Sequence, residues 1–168
     1  MSKLIILRGN SGSGKSTVAK SLAMSSAHKV AVVDADAYRV GMFHPLGQCR
    51  EDVAELMAHN VRFCLERGYD VIWDSIFYAN DRNRVYLGDF FAHQHPQENY
   101  IFNFDVSWYE TVRRHQTRHK RHDFDAETMR EWYRPVETLG YKFEYTVPEH
   151  STAAESVDYI RRVSGLAA

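Results

Sequence analysis

The chain has 168 residues, enough for one domain with a substantial hydrophobic core. Its 21 lysines and arginines nearly balance 22 aspartates and glutamates, so the overall charge predicts no general attraction to nucleic acid or membranes. No apolar run approaches the roughly 20 residues of a membrane span, and the first β-type run leaves no room for a signal peptide. The two cysteines, Cys49 and Cys64, lack the spacing of metal ligands. Such sparse cysteine use fits a reducing compartment best, so we expect a cytoplasmic protein.

Short β-type runs alternate with helical segments along the chain, which predicts a parallel sheet covered by helices. Five strands are predicted, at residues 3–7, 29–33, 70–73, 100–106 and 141–147. Helices are predicted at residues 17–24, 52–66, 80–93, 108–119, 125–133 and 152–163. The sequence therefore predicts a three-layer α/β fold with a mostly parallel five-stranded sheet, in a single domain over residues 1–168.

A complete GxxxxGK[ST] motif follows the first predicted strand and consists of Gly9, Asn10, Ser11, Gly12, Ser13, Gly14, Lys15 and Ser16. Its place between a strand and a helix is the context that a phosphate-binding loop requires. Glycines let backbone N–H groups surround an anion, and the helix start adds partial positive charge. We predict that this loop and Thr17 bind ATP, that Lys15 reaches the β- and γ-phosphates, and that Ser16 binds Mg²⁺.

Two carboxylates and an arginine follow the second predicted strand, namely Asp34, Asp36 and Arg39. Ligands bind at the carboxyl edge of such sheets, so Asp36 is our candidate for orienting or deprotonating an acceptor hydroxyl. Arg39, expected in the first turn of a helix, would hold the acceptor or the transferred phosphoryl group. Asp34 would support the metal or cap that helix, and both acids are also typical of simple turn and cap positions.

The third predicted strand ends in Asp74 after three apolar residues, a pattern typical of a Mg²⁺-associated carboxylate. Asp74 would act on the metal directly or through water, and a strand-end turn is the structural alternative. Residues 80–84 read Asn-Asp-Arg-Asn-Arg and would either bind an acceptor or begin a solvated helix.

Residues 113–122 carry the strongest local concentration of basic side chains. Their position predicts an arginine-rich lid over ATP, at about residues 113–127, that neutralises charge on the transferring phosphoryl group. Arg114 and Arg118 are the candidates because four-residue spacing puts them on one helical face. A solvated face and a nucleic-acid phosphate site are the alternatives.

Two sets of ring side chains receive structural interpretations. His115 and His119 share helical spacing but lack a third metal ligand, so we interpret them as part of a polar helix face. The aromatic residues between 132 and 145, Trp132 among them, are expected to pack in the core instead of stacking on a base.

Together these motifs resemble those of the small P-loop kinases that include zeta-toxin-like kinases, chloramphenicol phosphotransferase, gluconate kinases and the kinase domain of polynucleotide kinase. The resemblance rests on residues 9–17, the element from Asp36 to Arg39, Asp74, and the basic segment, and it spans about residues 3–150. It implies a P-loop NTPase fold, with Asp36 as general base and Arg39 in contact with acceptor or phosphate.

The leading hypothesis is therefore a kinase that uses ATP and Mg²⁺ to phosphorylate a hydroxyl of a small molecule, such as an antibiotic, a nucleoside or a sugar derivative. A polynucleotide 5′-hydroxyl kinase is a second hypothesis, disfavoured by the near-zero net charge. A nucleotide-dependent switch or ATPase without an acceptor is the third. The sequence leaves the acceptor and the oligomeric state open.

Overall fold

The computed structural model describes residues 2–43, 50–93, 98–117 and 122–168. Its centre is a sheet of five strands in the order β2-β3-β1-β4-β5, and every pair of neighbours is parallel. The strands are β1 (Lys3–Arg8), β2 (Val30–Asp34), β3 (Asp70–Asp74), β4 (Glu98–Asp105) and β5 (Glu144–Pro148). The predicted five strands are confirmed, and the sheet is wholly parallel instead of mostly so.

Seven helices lie within the described ranges and cover the sheet. They are α1 (Lys15–Met24), α2 (Ala35–Gly41), α3 (Arg50–Glu66), α4 (Asp81–Ala92), α5 (Trp108–Thr117), α6 (Ala126–Trp132) and α7 (Ala153–Ser164). In the part of the chain that the structure describes, none of them is both long and apolar enough to cross a membrane.

The core lies on both faces of the sheet, as alternate residues of β1 show. Leu4 and Ile6 pack into the cluster formed with α3 and α4, whereas Ile5 and Leu7 pack into the cluster formed with α1 and α7. Because both faces of the central strands are covered, β1 and β3 are almost continuously apolar. The predicted three-layer α/β architecture is confirmed.

The strand order determines where a ligand can bind. From β1 the chain first builds β2 and β3 on one side and then β4 and β5 on the other. The segments that lead to the two sides of the sheet therefore diverge at the carboxyl end of β1, and a crevice lies between them. The phosphate-binding motif leaves β1 at this position.

The fifth strand begins three residues later than the sequence predicts. The Glu144 carboxylate accepts hydrogen bonds from the backbone N–H groups of Leu139 and Tyr141, at 3.0 and 2.8 Å. These bonds hold the preceding residues in a turn, so that the strand covers only Glu144–Pro148.

Candidate active site

The loop between β1 and α1 requires glycine at three of its positions, the first of which is Gly9 with a φ of 149°. Gly14, directly before α1, has a φ of 98°. Gly12 has a φ of 84°, and a side chain there would meet the backbone oxygen of Thr111 at 2.8 Å. The loop encloses the buried Lys15, whose Nζ donates to the Asn10 carbonyl at 2.9 Å and to the Ser13 hydroxyl at 3.3 Å. A positive charge therefore lies inside the loop at the start of α1, where the helix end also favours an anion.

Asp34 and Asp74 end neighbouring strands and lie opposite each other in the register of β2 and β3. Asp74 also lies opposite Leu7 of β1, so both carboxylates are at the edge from which the phosphate-binding loop leaves. The Asp34 carboxylate accepts a hydrogen bond from the Asp36 backbone N–H at 2.9 Å. Of the two roles considered for Asp34, the structure shows the helix cap.

The structure brings Asp36 and Arg39 together on α2. An Nη of Arg39 donates to a carboxylate oxygen of Asp36 at 3.0 Å, and both half-exposed side chains line a cleft beside the phosphate-binding loop. The expected position of Arg39 in the first turn is wrong, because α2 begins at Ala35, directly after β2. Asp36 therefore occupies the first turn and Arg39 the last.

Asp74 is the buried carboxylate of the site, 3% exposed. Burial raises its pKa, while the nearby Lys15 ammonium and a hydrogen bond from Ser16 offset part of that effect. Its Oδ2 atom has no hydrogen-bond partner. An unsatisfied carboxylate oxygen beside a serine hydroxyl offers the oxygen ligands that Mg²⁺ prefers, so these two residues fit the predicted metal.

Within the described ranges, no cluster of three His, Cys, Asp or Glu side chains could hold a metal ion by itself. Mg²⁺ in nucleotide sites is held by one or two protein oxygens, and phosphates and water complete its coordination. The pair Ser16 and Asp74 is consistent with that mode.

Arg114 lies on α5 against the phosphate-binding loop. One Nη donates to the backbone oxygen of Ser13 at 2.8 Å, the other donates to the backbone oxygen of Glu149, and Nε donates to Glu110 at 2.6 Å. Hydrogen bonds from Arg113 and Arg114 lower the pKa of Glu110 to about 2. The structure therefore fixes Arg114 beside the loop, whereas Arg118, the other predicted lid arginine, lies outside the described residues.

The phosphate-binding loop and the acidic strand ends share one open cleft of about 2720 Å³. A nucleotide and a second small molecule require a space larger than the single-ligand range of roughly 300–1,000 Å³. Beyond the loop, the cleft is lined by α2, α3, β3 and α4, through residues that include Arg39, Arg62, Trp73 and Tyr86.

Residues 80–84, predicted to bind an acceptor or to begin a helix, have structural roles in part. Asn80 caps α4, and Arg84 donates to the backbone oxygen of Thr138 at 2.8 Å.

Comparison with known proteins identifies the family. A family model described as an AAA domain matches residues 4–149. The chain belongs to this AAA domain family. No curated protein matches this AAA domain in sequence.

Several solved structures share the fold of this AAA domain. A sugar kinase from Janibacter sp. HTCC2649 has a TM-score of 0.73 at 16% identity, over 99% of this chain and 96% of that chain. The Mycobacterium tuberculosis APS kinase CysC, solved with AMPPNP and APS, has a TM-score of 0.73 at 18% identity, over 96% of both chains. A gluconokinase from Sinorhizobium meliloti 1021 has a TM-score of 0.64 at 18% identity, over 97% of this chain and 90% of that chain. The resemblance to small P-loop kinases is confirmed at the level of the fold.

Sequence reasoning missed Arg8, the last residue of β1 in this AAA domain. The side chain is 3% exposed, and it donates to the backbone oxygens of Phe77 at 2.9 Å and Glu137 at 2.7 Å. It also donates to Asn103 at 2.9 Å and lies 3.8 Å from the Glu144 carboxylate. Its partners are distant in sequence, and the only local signal is a charged residue that closes an apolar strand.

The contact with Phe77 matters because Phe77 has a φ of 37°, in a region that residues with a side chain rarely adopt. Its ring packs edge to face on Trp73, with centroids 5.2 Å apart, and lines the cleft between β3 and α4. Arg8 therefore connects the start of the phosphate-binding loop with the segment between β3 and α4 that lines the cleft.

Two interpretations of ring side chains are wrong. His115 is buried, not part of a polar face: Nε2 lies 2.8 Å from the Phe124 carbonyl oxygen, and the two rings stack. Trp132 is 41% exposed and lines the cleft instead of packing in the core. His119 lies outside the described residues.

Replacing Asp74 by asparagine should stabilise the nucleotide-free AAA domain and weaken Mg²⁺-dependent nucleotide binding. Because burial raises the pKa of Asp74, the stability associated with the protonated form is present at acid pH and lost as the pH rises through the folded-state pKa. Asparagine removes the cost of a buried charge. We therefore expect the free energy of unfolding at neutral pH to rise by about 1 kcal/mol, which corresponds to a Tm increase of about 2–4 °C. Thermal unfolding with ADP, with and without Mg²⁺, tests both effects. A less stable Asp74→Asn variant, or an undiminished Mg²⁺ effect, would contradict this role.

Replacing Glu110 by glutamine should flatten the acid side of the stability profile. The pKa of Glu110 is about 2, below its ordinary value of 4.5. The ionised Glu110 therefore stabilises the folded chain fully above pH 4.5, and this stabilisation is lost as the pH falls towards 2. We expect Glu110→Gln to be less stable than the unmodified chain at pH 7, with a smaller difference at pH 3. Urea unfolding at both pH values measures this, with Glu127→Gln, an exposed glutamate on α6, as control. Equal differences at both pH values would exclude the proposed ion-pair effect.

Proposed function

We propose that the chain is a single kinase domain that transfers the γ-phosphoryl group of ATP to a hydroxyl of a small molecule, with Mg²⁺ as cofactor. One observation carries this proposal: the Lys15 loop, the Ser16–Asp74 pair and the Asp36–Arg39 pair line one cleft that continues past the loop. A switch or ATPase needs the first two features. A pocket beyond them, with a carboxylate at its entrance, is typical of enzymes that position a second substrate.

Each group has a specific role in the proposed reaction. The loop N–H groups and Lys15 bind the β- and γ-phosphates, and Ser16 and Asp74 hold the metal. Mg²⁺, when bound, would neutralise negative charge on the phosphates. Asp36 accepts the proton of the acceptor hydroxyl while the hydroxyl oxygen forms a bond to the γ-phosphorus of ATP. The bond between the γ-phosphorus and the bridging oxygen breaks at the same time, and ADP leaves with that oxygen. Arg39, hydrogen-bonded to Asp36, orients that carboxylate.

The proposal is tested by incubating the purified chain with ATP, Mg²⁺ and a library of hydroxyl compounds. ADP release should depend on an acceptor, and mass spectrometry should find that acceptor with one added phosphoryl group. Replacing Lys15 by methionine should lower this turnover by about 10²–10³-fold, because it removes a preorganised cation from the transition state. Lys20→Met, an exposed lysine on the same helix, is the matched control and should retain full activity.

Three results would count against the proposal. ATP hydrolysis without any phosphorylated acceptor would favour a switch or ATPase. End-labelling of a 5′-hydroxyl oligonucleotide would favour a polynucleotide kinase. Equal activity of Lys15→Met and Lys20→Met would separate the loop from catalysis altogether.

A further inference from the structure

Unsatisfied polar atoms concentrate in the cleft. Six buried side-chain nitrogen or oxygen atoms lack a hydrogen-bond partner among the described residues, and four of them belong to residues that line the cleft. One is the Asp74 oxygen assigned above to the metal. The other three are donors, on Arg39, Arg62 and Trp73. Buried donors are normally paired, and leaving one unpaired costs free energy, so a group that accepts hydrogen bonds would be stabilised on this part of the wall.

Arg62 is the cation on this wall without a carboxylate partner. Arg39 is paired with Asp36, and Arg82 is paired with Glu51 at 2.9 Å near the exposed ends of α3 and α4. Arg62 forms no ion pair within the part of the chain that the structure describes, and its half-buried guanidinium lies 4.8 Å from the centre of the Phe90 ring. A partly desolvated guanidinium with open donors binds carboxylate, phosphate or sulfate groups strongly.

The floor beneath these donors is aromatic. Trp73 is fully buried and packs edge to face against Phe77, Tyr86 and Phe90, with ring centroids 5.1–6.1 Å apart. The Tyr86 hydroxyl already donates to the backbone oxygen of Ala54 at 2.6 Å, so it presents its ring and not a polar group to the cleft. Trp73 and Phe90 support this wall from beneath, and the partly exposed ring of Tyr86 is the surface that suits the carbon skeleton of a small molecule.

We propose that the acceptor is a small hydroxylated oxyanion, a compound that carries a carboxylate, phosphate or sulfate group besides the hydroxyl. This rests on the proposed kinase function and names its substrate class. The oxyanion binds the partly exposed Arg62 on α3, and the carbon skeleton lies against the partly exposed ring of Tyr86 on α4. The hydroxyl then extends towards Asp36 and Arg39. Glu55 and Asp89 also line the cleft, so a cationic acceptor is the competing prediction.

The test compares acceptors that share a skeleton and differ in charge. The set consists of glucose, glucosamine, gluconate and glucose 6-phosphate, together with the corresponding series built on ribose and on glycerol, and a 5′-hydroxyl oligonucleotide. We expect ADP release and a phosphorylated product only with anionic small molecules, and the carboxylate and phosphate members show which oxyanion is preferred. Turnover confined to neutral or cationic members, or to the oligonucleotide, would overturn the oxyanion proposal while leaving a kinase.

Variants of Arg62 test the binding residue itself. Arg62→Gln should raise the KM for the anionic acceptor by about 10-fold or more with a smaller change in kcat, because it removes a charged hydrogen-bond donor remote from the reacting hydroxyl. Arg62→Lys should restore part of the loss by keeping the charge. Arg67→Gln is the matched control, since Arg67 stacks on Phe63 at 4.5 Å but does not line the cleft. An unchanged KM in Arg62→Gln would overturn the assignment.

A binding measurement covers the case in which no compound of the set is phosphorylated. Inorganic sulfate and phosphate serve as probes, added to the chain saturated with Mg²⁺ and ADP, while NMR follows the arginine Nε–H signals. We expect a saturable shift of the Arg62 signal, absent for Arg67. Failure of both anions to shift it would refute the oxyanion site, whereas a shift without turnover of any acceptor would count against the kinase proposal alone.

Discussion

Replacing Asp36 by asparagine is expected to lower acceptor-dependent ATP turnover by about 10²–10⁴-fold, the range for loss of a general base. Asparagine keeps the shape and an oxygen that can accept the hydrogen bond from Arg39, but it cannot take a proton at neutral pH. ATP affinity should stay within a factor of two or so, because in the proposed binding mode the phosphates bind the loop at Lys15 and not α2. ADP-release kinetics and calorimetric titration with a non-hydrolysable ATP analogue measure the two quantities separately.

Asp81→Asn provides the control for this experiment. Asp81 is an exposed acid in the first turn of α4, outside the cleft lining, so its replacement should leave turnover unchanged. Full activity of Asp36→Asn would remove Asp36 from the role of base. A parallel loss of ATP affinity would instead place the residue in nucleotide binding.

Replacing Arg8 by methionine is expected to lower the free energy of unfolding by at least about 3 kcal/mol, the cost of removing one partner from a buried charge pair. Methionine fills the space of the aliphatic stem but leaves the guanidinium end empty, so a cavity adds to the lost polar contacts. The carbonyls of Phe77 and Glu137 lose their donor, and the buried Glu144 loses its nearby positive charge. Urea unfolding at pH 7 measures the change.

Arg113→Met is the matched control for Arg8→Met. Arg113 also pairs with a glutamate, Glu110, but its side chain is 69% exposed. A surface ion pair contributes little to stability because water and salt screen it, so this variant should unfold close to the unmodified chain. Similar losses in the two variants would show that burial of Arg8 has no special energetic weight.

The sequence predicts those parts of the fold and site that depend on neighbours along the chain. The phosphate-binding motif fixes its own strand, loop and helix within residues 3–24, and Asp74 is recognisable because it ends an apolar strand. Strand positions follow from runs of apolar residues, although a side chain such as Glu144 can delay the start of a strand by binding the backbone of the residues before it.

Contacts between distant segments leave no comparable pattern. Arg8 and Glu137 are 129 positions apart, and nothing near either residue indicates the other. Arg114 was predicted on the right helix, but its hydrogen bond to Ser13 joins segments 101 positions apart and depends on how α5 packs against the loop. The unpaired donors of Arg62 and Trp73 are equally hidden, because only the folded chain shows which polar groups lack a partner.

The constrained backbone at Phe77 bears on how the substrate range of this protein can be altered. A residue held at positive φ by a buried arginine resists substitution, since a replacement must fit the same backbone and keep the same carbonyl position. Arg62 and Tyr86 instead lie within helices α3 and α4, whose backbone conformation most residue types adopt without strain. Directed evolution of acceptor choice would therefore progress fastest through libraries at the two helices, with the Phe77 loop kept constant.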